Sequence, residues 1–459
     1  MSNPHVLIIP LPAQGHIIPL MELAQNLANN GIKITFVNPE FSHHSMVNAL
    51  AGKTTLADKI HLVSVPDGLE SIEDLQVQGR FFEIVLKVMP EKVEEMIKRI
   101  NKSEDDKITC VIADHLLGWV QEFATKMKIK RVAFLSPAAA TVALEFSIPK
   151  LINEGVINSD GTPITNKTCQ FEPTMPIMNT SEFNWSSVGN MTDPKFLFNT
   201  LLQCSKSVKS ADWAICNSSY DLEPGAFALA PEIVPMGPLL ASNRLGESVG
   251  LFLQEDLTWL EWLDQQPQCS VLYVAFGSTT VFKHTQFQEI AMGLELTNRS
   301  FLWVVRPGIT DQGIEAYPEG FLNRVGTRGK IVSWALQQKV LSHPSIACFV
   351  SHCGWNSTIE SVSNGVPIIC CPYYADQFIN QSYINDIWKI GVKLDKDTQG
   401  IITREEIKNK VDQLLDDDMF KDRALRLKEV MMSSISEGGR SHKNFQNFST
   451  WIKGLSSIV

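Results

Sequence analysis

Nowhere in the 459 residues is there a run of ~20 apolar side chains, the length a membrane helix needs, so no membrane span is expected. Positive charge is also short. Lys and Arg number 40 against 50 Asp and Glu, a net charge of -10, which offers no electrostatic footprint for nucleic acid. The N-terminus lacks a basic n-region and a small-residue cleavage site, so no signal peptide is read. The nine cysteines are scattered, without the paired spacings that hold a metal, and no metal is expected. Adjacent Cys370 and Cys371 read as small core residues. Free thiols without a leader imply a reducing compartment and a cytoplasmic protein.

What is present is alternation. Val6–Pro10 and Lys33–Asn38 are short apolar runs flanking a periodic helix from about Pro19 to Asn30, closed by Gly31. His61–Val65, Ile108–Asp114 and Arg131–Leu135 read as further strands, with helices over Arg80–Asn101 and Leu116–Lys128. From Leu151 to about Asn199 the pattern weakens into an irregular stretch of the kind that often borders a binding site. Alternation restarts after the small, polar segment 240–250: strands at Ser270–Phe276, Phe301–Arg306, Ile331–Trp334, Ala347–Ser351 and Pro367–Cys371, with helices between. The length suits two or three domains. Two βα-alternating halves predict two Rossmann-like parallel-sheet domains facing a cleft, with ligands at the carboxyl ends of the strands. The expected division is 1–240, a linker at 241–250, and 251–441. An amphipathic last helix, about 442–459, packs by Phe445, Phe448, Trp451, Ile452 and Leu455.

The stretch from Val350 to Glu360, VSHCGWNSTIE, carries the most chemistry. A strand ends at Ser351, Gly354 turns, and Asn356, Ser357 and Thr358 open a helix. Free N–H groups and the positive dipole end make such a terminus an anion site. His352, Asn356 and Ser357 can donate to phosphate oxygens, and Glu360, one turn on, can accept from a ribose diol. Trp334, at a strand end before Ala335-Leu336-Gln337, can stack a base. Asp376-Gln377 opens another helix and suits sugar hydroxyls. Taken singly these are also ordinary: a core tryptophan, a helix cap, an N-cap pair.

Together they form one signature. Residues 334–377, WALQQKVLSHPSIACFVSHCGWNSTIESVSNGVPIICCPYYADQ, span 44 positions and closely resemble the plant secondary-product signature of family 1 UDP-glycosyltransferases. PAQGHIIPL near the start, VPMGPL, WLDQQP, the FGS at Phe276–Ser278, FLWVVRP and EGGRS extend the resemblance along the chain. It implies the GT-B fold, an acceptor-binding N-terminal half, a C-terminal half that binds UDP-sugar, and a last helix that crosses back. Carried over by motif, Trp334 stacks uracil, Ala335 meets its edge through the backbone, and Gln337 and Glu360 hold the ribose. His352, Gly354, Asn356, Ser357 and Ser278 surround the diphosphate. Trp355, Asp376 and Gln377 face the sugar, and Ser136 touches sugar or phosphate. A glutamine at 377 resembles the glucose-using members, so UDP-glucose is the expected co-substrate. Leu336 departs from the proline usual at its position, and Ser351 from threonine.

Glycosyl transfer to oxygen needs a base for the acceptor proton, and histidine is the usual choice. His16 sits where the first strand hands over to a helix, and Asp114 ends another strand on the same expected rim. An aspartate on the far ring nitrogen fixes the tautomer and stabilises the imidazolium. The resemblance assigns these two positions the same roles. Gly15 leaves room for close approach at that turn. The acceptor pocket is expected from the 80–90 segment, His115, Leu116, Trp119, Phe183, Phe196 and Tyr374, a largely apolar set suited to a small hydrophobic alcohol or phenol such as a flavonoid or stilbene. Terpenoid and hormone acceptors, other UDP-sugars, and a non-catalytic nucleotide-sugar sensor stay open. A dehydrogenase would need G-x-G-x-x-G after the first strand, where Leu11–Gly15 reads LPAQG. The protein is expected to act as a monomer on small molecules.

Overall fold

The computed structural model describes residues 4–40, 43, 47, 60–66, 85–103, 106–189, 193–239, 258–310 and 317–455. The chain divides into two compact units, Met1–Gln254 with Ser433–Val459, and Glu255–Met432. The segment 241–250, read as a linker, lies outside the described residues, as does 80–84 of the acceptor segment.

The first unit is built on a parallel sheet of seven strands: β1 (His5–Ile9), β2 (Lys33–Pro39), β3 (Ile60–Val65), β4 (Cys110–Asp114), β5 (Lys130–Leu135), a later strand at Trp213–Cys216 and another at Ile233–Pro235. The first five are ordered β3-β2-β1-β4-β5, followed by the later two. Sequential strands run outward from β1, and the order reverses between β1 and β4. Crevices at such a switch point are where open α/β sheets bind ligands. Both faces are covered. Val6 and Ile8 pack into one cluster and Leu7 and Ile9 into the other, so the near-continuous apolar strand sequence is that of a buried parallel sheet.

The last helix, Arg440–Gly454, closes one face. Phe448 and Ile452 are fully buried in the cluster of Val6 and Ile8. The Phe448 ring lies 5.4 Å from Trp213, edge-on, and Asn444 Nδ2 donates to the Pro235 carbonyl at 2.8 Å. Phe448→Ala should therefore lower the unit's unfolding free energy by about 3–5 kcal/mol. A urea midpoint equal to wild type would show that the helix adds nothing to this core.

The second unit repeats the plan with six parallel strands: Val271–Ala275, Ser300–Val304, Gly329–Val332, Ile346–Ser351, Ile368–Cys370 and Gly391–Lys393. Here the order reverses between Val271–Ala275 and Ile346–Ser351, which are paired in register from Leu272 opposite Cys348 to Ala275 opposite Ser351.

Among the stretches that differ from the sequence reading, two flank the first unit's site residues in sequence. The helix expected from Pro19 begins at Gln14 and runs to Asn29, with Pro19 inside it. The Ala13 carbonyl accepts from His16 N at 2.9 Å and Ile17 N at 3.0 Å, so the helix starts one turn before the proline. The stretch read as irregular to Asn199 contains the start of a 16-residue helix, Pro194–Lys209. Asp193 caps it by accepting from Lys195 N at 3.0 Å, and Pro194 takes the first-turn position where its missing N–H costs nothing.

Candidate active site

In the first unit the switch point brings His16 to Asp114. His16 lies in the first turn of the helix that follows β1, and Asp114 is the last residue of β4. His16 Nδ1–H donates to Asp114 Oδ2 at 2.7 Å; the imidazole keeps 23% exposure while the carboxylate has none. The same Oδ2 accepts from Ser136 Oγ at 2.5 Å. Oδ1 accepts from the Leu116 amide at 3.0 Å. Burial by itself would push this carboxyl up. The His16 charge and the side-chain contacts from His115 and His16 outweigh it and hold Asp114 well below the ordinary carboxylate range. A permanently ionised, fully bonded carboxylate fixes the His16 tautomer, with Nε2 as the basic nitrogen.

Three further residues that the sequence assigned to the site are placed as follows. Ser136, expected at the sugar or phosphate, is buried with its hydroxyl proton given to Asp114. His115, expected to line the acceptor pocket, is buried, its Nδ1 3.4 Å from Asp114 Oδ1. Phe183, also expected there, is fully buried in an aromatic cluster, 5.0 Å from Trp185 and 6.2 Å from Phe171. A phenylalanine amid that many rings satisfies its burial without a ligand. Leu116 and Trp119 are half-buried after Asp114, Phe196 is 37% exposed, and Gly15 is exposed in the first helical turn.

The turn that carries Ser136 leads into a helix, Ala139–Phe146, that has no local cap. Glu223 supplies one from 83 residues away: Oε1 accepts from Ala140 N at 2.8 Å and Oε2 from Ala139 N at 3.2 Å. Ser218 Oγ donates to Oε2 at 2.5 Å. Burial dominates and raises the Glu223 carboxyl to about 7 in spite of these bonds. The folded protein then keeps a proton that the unfolded chain releases near 4.5, so this group's contribution to stability is lost as pH rises from about 4.5 through about 7. Glu223→Gln removes the titration. Its melting temperature relative to wild type should climb between pH 5 and pH 8; a constant difference would refute the assignment.

In the second unit the switch point gathers Gly277–Thr280, after the strand Val271–Ala275, beside His352–Gly354, after Ile346–Ser351. His352 is wedged between glycines. A Cβ at Gly277 or at Gly354 would come within 2.6 Å of its Nε2. Burial lowers its pKa to about 4, so at neutral pH it is an uncharged imidazole with one N–H to donate. Its Nδ1 is buried without a hydrogen-bond partner among the described residues, and so is Thr280 Oγ1. Cys353 takes the left-handed conformation at φ 65°, rare for a residue with a side chain. Buried Asn380 ties that turn to the next, donating to the Cys353 carbonyl at 2.9 Å and to Asp376 Oδ2 at 3.0 Å.

The helix Trp355–Asn364 starts at Gly354 and presents its N-terminus to the same place. Its second turn places buried Glu360 against the short helix Gln337–Ser342. Gln337 Nε2 donates to Glu360 Oε2 at 2.7 Å and to Ser357 Oγ at 2.8 Å, and Gln338 Nε2 donates to Glu360 Oε1 at 3.1 Å. Gln338 was missed in the sequence, although the Gln337-Gln338 doublet was a visible signal. Trp334 is half-buried and Ala335 buried just before this helix. Leu336 has φ -68°, the angle a proline ring imposes, so the expected chain path survives the substitution.

Beyond the strand Ile368–Cys370, Gln377 is buried with Oε1 accepting from Tyr373 N at 2.7 Å and Tyr374 N at 3.1 Å. Its amide NH2 has no partner among the described residues and stays available as a double donor. Tyr374 shares a hydroxyl–hydroxyl hydrogen bond with Thr279, which joins it to the Gly277–Thr280 turn. Ser278 is exposed in that turn and Asn356 half-buried. Trp355, expected to face the sugar, is buried with its ring 6.4 Å from Trp388. No group of three or more metal-binding side chains occurs among the described residues, and no described helix is long and apolar enough to cross a membrane.

Known proteins share this architecture over the whole chain. The family model described as UDP-glucoronosyl and UDP-glucosyl transferase matches residues 254–434. UDP-glycosyltransferase 83A1 of Arabidopsis thaliana is 46% identical over 463 residues, covering 99% of this chain and 97% of that one. A UDP-glucosyltransferase from Polygonum tinctorium capable of glucosylating indoxyl, solved with 3,4-dichloroaniline, aligns with a TM-score of 0.83 at 27% identity over 99% of each chain. UGT2 of Phytolacca americana, solved with UDP-2-fluoro-glucose and pterostilbene, aligns with a TM-score of 0.78 at 26% identity over 98% of this chain and 99% of that one. With two parallel-sheet Rossmann-like units, the chain belongs to the plant family 1 UDP-glycosyltransferases and has the GT-B fold.

Proposed function

We propose that this enzyme transfers glucose from UDP-glucose, with inversion, to a hydroxyl of a small hydrophobic acceptor such as a phenol, flavonoid or stilbene. The observation that carries the reading is the His16–Asp114 pair: an exposed imidazole edge backed by a buried, fully bonded carboxylate. His16 Nε2 takes the acceptor proton as its oxygen attacks the anomeric carbon. The new C–O bond forms while the bond from that carbon to the β-phosphate oxygen breaks, and UDP leaves. Asp114 stabilises the imidazolium.

The second unit is the donor half in this reading. Trp334 stacks the uracil and Ala335 meets its edge. Glu360, with Gln337, holds the ribose. The Asn356 and Ser357 amides at the helix N-terminus, Ser278 and neutral His352 meet the charge that grows on the leaving diphosphate. Gln377 and Asp376 face the sugar, and the two free donors of the Gln377 amide suit adjacent sugar hydroxyls. The first unit is the acceptor half, with Leu116, Trp119 and Phe196 the best-exposed apolar candidates for its pocket. Two relatives support the substrate class: one was solved with UDP-2-fluoro-glucose and pterostilbene, and the other is described as capable of glucosylating indoxyl. All nine cysteines are free thiols, which supports a reducing cytoplasm as the working compartment.

A panel of phenolic, flavonoid, stilbene, terpenoid and hormone acceptors, each offered with UDP-glucose and separately with UDP-galactose, tests the assignment by mass spectrometry of products. Glucosides of aromatic acceptors formed preferentially with UDP-glucose are expected. Preferential galactoside formation, or turnover confined to terpenoids or hormones, would overturn it.

A further inference from the structure

Arg306 closes the strand Ser300–Val304 at a distance of two residues, and it is half-buried. Its guanidinium is spent on main-chain carbonyls. Nε donates to Gly277 O at 3.3 Å, Nη1 to Pro307 O at 3.2 Å, and Nη2 to Thr280 O. Two of those carbonyls bracket the Gly277–Thr280 turn. Among the described residues no carboxylate pairs with it. A partly desolvated cation without a counter-charge is costly, and burial lowers the Arg306 pKa accordingly. The turn it grips packs on His352 through Gly277, holds the unpartnered, buried Thr280 hydroxyl, and is tied on its other side by Thr279 to Tyr374.

We propose that Arg306 is a positioning residue for the donor diphosphate: it shapes the Gly277–Thr280 turn and brings positive charge to the side of the bound diphosphate. His352 is neutral at pH 7, and the helix terminus at Trp355 offers only a partial charge. Arg306 brings a full charge to the turn through its bonds to the Gly277 and Thr280 carbonyls, and its counter-charge arrives with the ligand. The inference rests on the second unit being the UDP-sugar half.

Uridine and UDP separate the possibilities, because they share base and ribose and differ in the diphosphate. Calorimetric affinities of the full chain should show R306Q binding UDP about tenfold or more weakly than wild type, with uridine affinity within about twofold. R306K, which keeps the charge and loses the fork, should fall between them. The UDP affinity of wild type should also drop more steeply with salt than that of R306Q. In turnover, R306Q should raise KM for the UDP-sugar more than it lowers kcat. Equal loss of uridine and UDP binding in R306Q and R306K would reduce Arg306 to a scaffold strut, and unchanged UDP binding in R306Q would overturn the proposal. Failure of wild type to bind UDP at all would instead overturn the reading of the second unit.

Discussion

His16→Ala should lower kcat by about 10²–10⁴-fold, the usual contribution of a positioned general base, with UDP affinity within about twofold of wild type. The reasoning starts from the fold. The strand order reverses between β1 and β4. That reversal puts the first turn of one helix beside the last residue of the next strand, and the 2.7 Å His16–Asp114 bond follows. Asp114 makes its remaining bonds with Ser136 Oγ and the Leu116 amide, so it has no conformational freedom to lose when His16 takes a proton. The imidazole is not among the groups proposed to hold UDP, hence the split between kcat and UDP binding. Asp114→Asn should fall less far, since the amide oxygen can still accept from Nδ1. A His16→Ala enzyme with wild-type turnover on a phenol would remove the base from this histidine.

Glu360→Ala should raise the KM for UDP-sugar by about 10–100-fold, the worth of one or two hydrogen bonds to a charged group. The carboxylate is buried, and without a ligand it is held by two glutamine amides, Gln337 and Gln338. Those amides aim both carboxylate oxygens. The interaction is the same in ground and transition states, so kcat should change far less than KM. Glu360→Gln should lie between, because one acceptor oxygen remains. An unchanged UDP affinity in Glu360→Ala would move the ribose elsewhere.

Local chemistry decided what could be read from the chain. The parallel strands announce themselves as buried apolar runs, and a local signal such as Thr403 with Glu406 three residues later marks the start of a helix, Arg404–Leu415. Gln337 and Glu360, 23 residues apart and both assigned to the ribose by the signature, are hydrogen-bonded to each other. Most of what was not legible depends on a partner outside the local pattern. Helix Ala139–Phe146 is capped by Glu223, so nothing local marked its start. Ser136 looked like a ligand contact because its partner, Asp114, lies one strand away. Phe183 and Trp355 looked available because an aromatic residue near a motif carries no mark of its own burial; the rings that cover them come from Phe171, Trp185 and Trp388. The helix Pro194–Lys209 is a different case. Asp193-Pro194 was a local start signal, and the polar residues before it obscured it.

The decisive measurement is the stereochemistry and acceptor dependence of a single reaction. Purified enzyme with UDP-glucose and a phenolic acceptor, followed by proton NMR, should release UDP only when acceptor is present and yield a β-glucoside from the α-linked donor. An α-glucoside, or UDP release at the same rate without acceptor, would contradict direct displacement by a hydroxyl deprotonated at His16.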